Sequence, residues 1–209
     1  VRIQTVTDDL AESLGLVKAY GALVASVMPD SPALTAGIKA GDVVIGFNGK
    51  EVTSMRSLPR MVADSKIDKK AKLEIWRGGK SIFVDVLIGE MEEEPAKKAS
   101  LNNNNEENIL KSIDSLGLQL SALTSQVRER FNLPDNIQGV MIARVSGGSD
   151  SERQGIMPGD IIVEVEQESV TSPDEIISKV EKASSAGRKS ILFLINRKGD
   201  LSFVALKLN

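Results

Sequence analysis

The chain of 209 residues contains neither cysteine nor histidine. Without cysteine there is no disulfide, no thiol nucleophile and no thiolate metal site, an absence compatible with any compartment. Without histidine, a Ser-His-Asp triad, a Cys-His pair or a histidine-bound zinc cannot be assembled from these residues. Ser-Lys and carboxylate-pair chemistry survive both absences, but no motif marks either. Catalysis by this chain alone is therefore not expected, and no cofactor or metal site is assigned. Aromatic residues are scarce at 3%, with one Trp and one Tyr, so the core must be built from Val, Ile, Leu, Met and Ala. That scarcity also removes the stacking platforms used to bind single-stranded nucleic acid. A basic excess is missing too. The 26 Lys and Arg stand against 29 Asp and Glu, a net charge of −3, which argues against a nucleic-acid partner. No apolar run reaches the roughly 18 residues of a membrane-spanning helix. No secretory leader opens the sequence, the pattern of a mature protein or an excised piece.

What is present is a repeat. Residues 37–52 read GIKAGDVVIGFNGKEV, and residues 155–170 read GIMPGDIIVEVEQESV. At an offset of 118, residues 21–62 match residues 139–180 at twelve positions, among them Gly21, Ser31, Gly37, Ile38, Gly41, Asp42, Val52 and Val62. The correspondence continues upstream, where Val1-Arg2-Ile3 lines up with Leu118-Gln119-Leu120, and downstream, where Phe83-Val84 lines up with Phe203-Val204. Two domains of one fold are expected.

Each copy punctuates its strands with glycine. Gly37 and Gly41, like Gly155 and Gly159, bracket a short loop in which a positive φ or close packing excludes a Cβ. The β-branched runs VVIGF and IIVEV read as buried strands. Alternation over 22–27 and 140–145 predicts half-buried strands. SPALTAG and SDSERQG predict short capped helices ending at Gly. Thr53-Ser54 and Thr171-Ser172 open longer helices, the second through a capping box at Ser172-Pro173-Asp174-Glu175. The runs LEIWRGGKSIFVDVLI and ILFLINRKGDLSFVALKL each predict a hairpin. Gly79-Lys80-Ser81 ends like a phosphate loop, but Glu74 stands where that motif needs its first glycine, so it reads as the hairpin turn. The expected fold class is mainly β with two capping helices per domain (α+β), built as partly open β-sandwich or barrel domains in tandem. The domains are placed at 1–90 and 113–209. Residues 91–112, acidic at first and then rich in Asn, offer nothing for a core and predict a flexible solvated linker. They lack the alternating carboxylates and central glycine of an EF-hand, so they are not assigned as a calcium site.

The stretch Ser115-Leu116-Gly117-Leu118-Gln119-Leu120 carries the functional signal. An apolar-Gly-apolar turn entering a strand can present consecutive backbone N–H groups to a carboxylate, while the strand edge pairs with an extended peptide. Leu116, Leu118 and Leu120 can equally be the core face of a strand, and the six residues alone leave both readings open.

With that loop, the two G-I-x-x-G-D turns, the Asn48-Gly49 turn and the opening Val1-Arg2-Ile3-Gln4-Thr5-Val6-Thr7, the whole chain resembles a tandem pair of PDZ domains. It is similar to the pair that follows the protease domain in periplasmic HtrA/Deg-type serine proteases. The resemblance implies a peptide groove between the second strand and a facing helix in each domain. In the second copy it implies Leu116, Gly117 and Leu118 as the carboxylate loop, and Gln119 and Leu120 as the strand. Counting the helix from Ser172 puts Pro173, Ile177 and Val180 on the groove wall, with Ile176 in the core. In the first copy it implies strand residues Val1, Arg2 and Ile3, and, counting from Ser54, wall residues Met55, Pro59 and Val62, with Leu58 and Met61 inward. Pro59, five residues into such a helix, is expected to remove a hydrogen bond and kink the wall. The first copy starts at the equivalent of Leu118 and lacks the leading half of its loop, so the second groove is the expected carboxylate binder. The implied partners are unfolded or misfolded proteins, hydrophobic C-terminal peptides, the parent's own protease domain and neighbouring subunits, with a periplasmic location. A free-standing scaffold and a purely structural oligomerisation arm are the alternatives.

Overall fold

A computed structural model describes residues 1–65, 69–88, 110–131, 133–134 and 137–208. Contacts divide the chain into two units, Val1–Glu94 and Pro95–Asn209. Most of the expected linker, 91–112, lies outside the described residues. Its last three positions, 110–112, do not: Lys111 and Ser112 form a strand with Ile113 in the second unit.

The first unit runs β1 (Arg2–Thr5), α1 (Asp8–Ser13), β2 (Ala22–Ser26), α2 (Pro32–Thr35), β3 (Val43–Phe47), β4 (Lys50–Glu51), α3 (Ser57–Ala63), β5 (Lys70–Arg77) and β6 (Lys80–Leu87). Its antiparallel sheet has the order β1-β2-β3-β5-β6, with β4 paired to β3. The second unit starts with β7 (Lys111–Ile113) and a single 3-10 turn, Asp114–Leu116. It then repeats the plan as β8 (Leu118–Ala122), α4 (Ser125–Phe131), β9 (Val140–Val145), α5 (Asp150–Arg153), β10 (Ile161–Val165), β11 (Glu168–Ser169), α6 (Pro173–Ser185), β12 (Ser190–Arg197) and β13 (Asp200–Lys207). The order is β13-β12-β10-β9-β8-β7, with β11 paired to β10. Both sheets are open, so the expected mainly β class holds and a closed barrel does not form. Each unit carries three α-helices among the described residues, of which α1 and α4 follow strands β1 and β8.

The repeat extends to its irregularities. The ladder slips between Arg2 and Ile3 in β1 and between Gln119 and Leu120 in β8. It slips again between Val44 and Gly46 in β3 and between Ile162 and Glu164 in β10. Such bulges bend and twist a strand at a set point. The tight turn after β3 uses Asn48 and Gly49, at φ 48° and 78°. After β10 the same turn is made by Glu166 and Gln167, at φ 56° and 63°, without a glycine. In both turns the first side chain reaches across to a strand amide: Asn48 Oδ1 accepts from Lys72 N at 2.8 Å, and Glu166 Oε1 from Leu192 N at 2.8 Å.

Two expectations fail on burial and on helix start. Strand β2 is buried along Ala22–Ala25 rather than alternating, because the side chains of both its faces, Ala22 and Val24 on one and Leu23 and Ala25 on the other, are covered. Helix α3 begins at Ser57, behind Arg56, which makes no side-chain cap; Ser54 is not its cap. No described helix is long and apolar enough to cross a membrane.

Candidate peptide-binding site

In the second unit the loop before β8 is held from two sides. Helix α5 is capped by Ser149, and the buried Ser151 hydroxyl donates to the Leu116 carbonyl at 2.7 Å. On the other side, Ser146 N donates to the Gly117 carbonyl at 2.8 Å. Gly117 has φ +65°, and a Cβ there would stand 2.6 Å from the Cβ of Ser149. Glycine is thus required twice over, by the left-handed backbone and by close packing. Its N–H donates to the Asp114 carbonyl at 3.1 Å, so one donor of the expected carboxylate nest is already engaged by the chain. Beside the loop lies a polar cavity of about 280 Å³ lined in part by Asp114, Gln119, Ser146, Ser149 and Arg153.

The side chains of Leu116, Leu118 and Leu120 are 0–1% exposed and join one core cluster with Ile176, Val180 and Phe193. Of the two readings left open, the core face describes these leucines. Helix α6 starts as expected: Ser172 Oγ accepts from Glu175 N at 3.4 Å, and Glu175 Oε2 accepts from Thr171 N at 2.8 Å. On its inner face Pro173 and Val180 are buried with Ile176, while Ile177 is half-buried against the same cluster. Lys179 points across to Glu168, whose carboxyl it holds below the ordinary range through hydrogen bonding and charge.

The expected open edge of β8 is not open. Strand β7 covers it antiparallel, pairing Lys111 with Leu120, Ser112 with Gln119 and Ile113 with Leu118. Ile113 is buried in the same core cluster, and Lys111 Nζ forms an ion pair with Asp174 in the first turn of α6. Three residues of the chain thus pair with the strand edge at which the resemblance places a peptide. Lys111 and Ser112 sit inside the stretch assigned to the linker, and the apolar Ile113 just ahead of the loop was the available signal.

In the first unit the counterpart of β8 is β1, an edge strand whose one strand neighbour in the sheet is β2. Ile3, Met55, Met61 and Val62 are partly buried and pack on the core built by Val24, Leu58 and Ile75. Thr5 Oγ1 lies 3.8 Å from Met55 Sδ, which ties the end of β1 to the segment before α3. Val1 and Arg2 are exposed. Pro59 is exposed, and it is the third residue of α3 rather than the fifth. First-turn N–H groups have no intrahelical acceptor, so the expected lost hydrogen bond and kink do not arise.

The shared G-I-x-x-G-D turns have a role that glycine alone did not reveal. Asp42, 1% exposed, accepts from Arg77 Nε and Nη2, both at 2.6 Å, and from Lys39 N at 2.8 Å. Arg77 Nη2 also donates to the Gly37 carbonyl at 2.7 Å. Asp160, Arg197, Met157 N and the Gly155 carbonyl repeat this arrangement. The hydrogen bond to each aspartate, more than its charge, raises the arginine pKa. Among the described residues no group of three or more acidic side chains could hold a metal ion.

The PDZ-domain family matches residues 2–88. The probable periplasmic serine endoprotease DegP-like of Brucella suis biovar 1 is 36% identical over 209 residues, 100% of this chain and 39% of that protein. The protein of the same description from Rickettsia conorii is 32% identical over 214 residues, 99% of this chain and 41% of that protein. The chain thus spans about two fifths of the length of these curated relatives. Among solved structures, the HtrA-type protease AlgW with decapeptide aligns at 30% identity and a TM-score of 0.39, over 46% of this chain and 29% of that one. The first unit matches the PDZ-domain family, the second repeats its plan with one more strand, β7, and the chain as a whole is similar to the DegP-like periplasmic serine endoproteases.

Proposed function

We propose that this chain is the peptide-capturing, regulatory PDZ pair of an HtrA/Deg-type periplasmic serine protease. It binds extended apolar or C-terminal segments of unfolded or misfolded envelope proteins and passes that occupancy to the protease domain and neighbouring subunits. The observation that carries the reading is strand β1, at the edge of the described sheet, whose Ile3 is partly buried together with Met55 and Val62. A peptide added there would gain backbone pairing from the edge and apolar contacts from alternate side chains. The proteolytic step belongs to a triad outside these residues, since the chain has no His.

The test is titration of the ¹⁵N-labelled chain with a free-acid apolar hexapeptide and with its amidated form. Saturable shifts at Ile3, Thr5, Met55 and Val62 are expected. An unresponsive first unit at millimolar peptide, with oligomers that persist regardless, would favour a structural arm instead.

A further inference from the structure

Strand β7 lies where a ligand of the second unit would lie. It forms the edge of the second sheet, paired with β8. The chain direction of β7 is also that of a ligand: its C-terminal end, Ile113, meets Leu118 and runs into the turn leading to Gly117. A peptide whose carboxylate approached that loop would follow the same line in the same direction. The three side chains are differentiated as ligand residues would be. Ile113 is buried, 6% exposed, in the cluster that includes Leu118, Leu120, Ile176 and Val180. Ser112 is exposed, and Lys111 pairs with Asp174 on the facing helix.

We infer that Lys111-Ser112-Ile113 is a built-in pseudo-ligand that closes the second groove, and that the groove opens to extended peptides of the same pattern. That pattern has an apolar residue at the loop end, a small polar residue before it and a basic residue before that, read by Asp174. The inference rests on the peptide-binding reading of the PDZ units. The closure is built to be displaced. It consists of a three-residue ladder, one apolar anchor and one ion pair whose Asp174 side chain is 69% exposed. Exposed pairs of this kind contribute little. An incoming peptide replaces each of these contacts with its own.

The absence of cysteine makes a clean test available. Ser112 and Gln119 face each other across the β7–β8 ladder. Antiparallel partners have Cα atoms about 4.5–5.5 Å apart, within disulfide range. In the double variant Ser112→Cys, Gln119→Cys, oxidation locks β7 in place and reduction frees it. The probe is fluorescein-Gly-Gly-Leu-Lys-Ser-Ile with a free carboxylate, with binding to the second unit read from the amide shifts of Ile177 and Lys179. We expect the oxidised form to show no second-unit binding and the reduced form to bind. Ile113→Ser should bind about tenfold or more tightly than the unaltered chain, because a mostly closed site divides its intrinsic affinity by the open fraction. Lys111→Glu, which sets like charges opposite each other between a half-buried and an exposed side chain, should shift affinity the same way without touching the core. Failure of the disulfide to close, or equal binding to oxidised and reduced protein, overturns the pseudo-ligand while leaving peptide binding intact. If no form binds through the second unit although Gln119 amide exchange shows β7 released, the peptide-binding reading of this groove fails, and the pseudo-ligand fails with it.

Discussion

Asp42 and Asp160 show how much a single buried carboxylate can organise. Each joins a hairpin arginine, a loop amide and, through that arginine, a glycine carbonyl, so the loop between α2 and β3 is tied to the far end of β5. Removing one partner of a buried pair leaves an uncompensated charge and typically costs several kcal/mol. With Arg77 30% exposed, Asp42→Ala should destabilise the first unit by about 3 kcal/mol, near the lower end of that range. Trp76, the one tryptophan, lies in β5 beside Arg77 and donates to the Leu14 carbonyl at 2.8 Å. Its fluorescence reports the first unit alone, so its urea midpoint should fall while the second unit's transition stays in place. Glu164 works in the opposite sense. Burial raises its pKa above 4.5, which means the folded state disfavours its charged form. The penalty is present above the unfolded pKa and is relieved as pH falls through the raised one. Glu164→Gln should therefore raise the melting temperature at pH 7, with the gain vanishing below about pH 4; an equal gain at both pH values would mean that charge is not the cause.

At the scale of elements, the two groove helices are less alike than their alignment suggests. Helix α6 has thirteen residues, opened by Ser172 and Pro173, whereas α3 has seven and begins after the uncapped Arg56. The shared Thr-Ser pair marks a cap in one copy only. Pro59 follows from that shift. In a helix interior, Pro→Ala would gain about 3 kcal/mol; in the first turn, Pro59→Ala should change the Trp76 urea midpoint by less than about 1 kcal/mol equivalent, in either direction. A gain near the larger figure would restore the interior placement counted from Ser54. Strand β7 is another case, an element upstream of the stretch that the repeat matches. Three residues carry too little periodicity to be read as a strand, and only the adjacent β8 edge makes them one.

For the whole molecule, each unit has its own core, Val24, Val44, Leu58 and Ile75 in the first and Leu120, Ile142, Ile176 and Phe193 in the second. Fragments 1–94 and 95–209 should each unfold in a single cooperative transition, monitored by Trp76 fluorescence for the first and far-UV circular dichroism for the second. A fragment that lacks a sigmoidal transition would show that the cores are not self-sufficient.

The order of strands, the paired turns and the choice of Gly117 were legible in the sequence because they are local. Turn glycines, β-branched runs and a capping box act over a few neighbouring residues, and repetition at an offset of 118 amplified the glycines and the runs. The absence of His likewise settled, from composition alone, that no Ser-His-Asp triad is made here. Other features were decided by residues distant in the chain. Asp42 became a clamp because β5 brings Arg77 to it, the start of α3 moved away from Ser54, and β2 was covered on both faces. The state of the second groove was decided in the same way. Lys111-Ser112-Ile113 has no strong strand signal of its own, and it becomes a strand by pairing with β8, burying Ile113 and meeting Asp174, contacts that exist only once the sheet and α6 are in place.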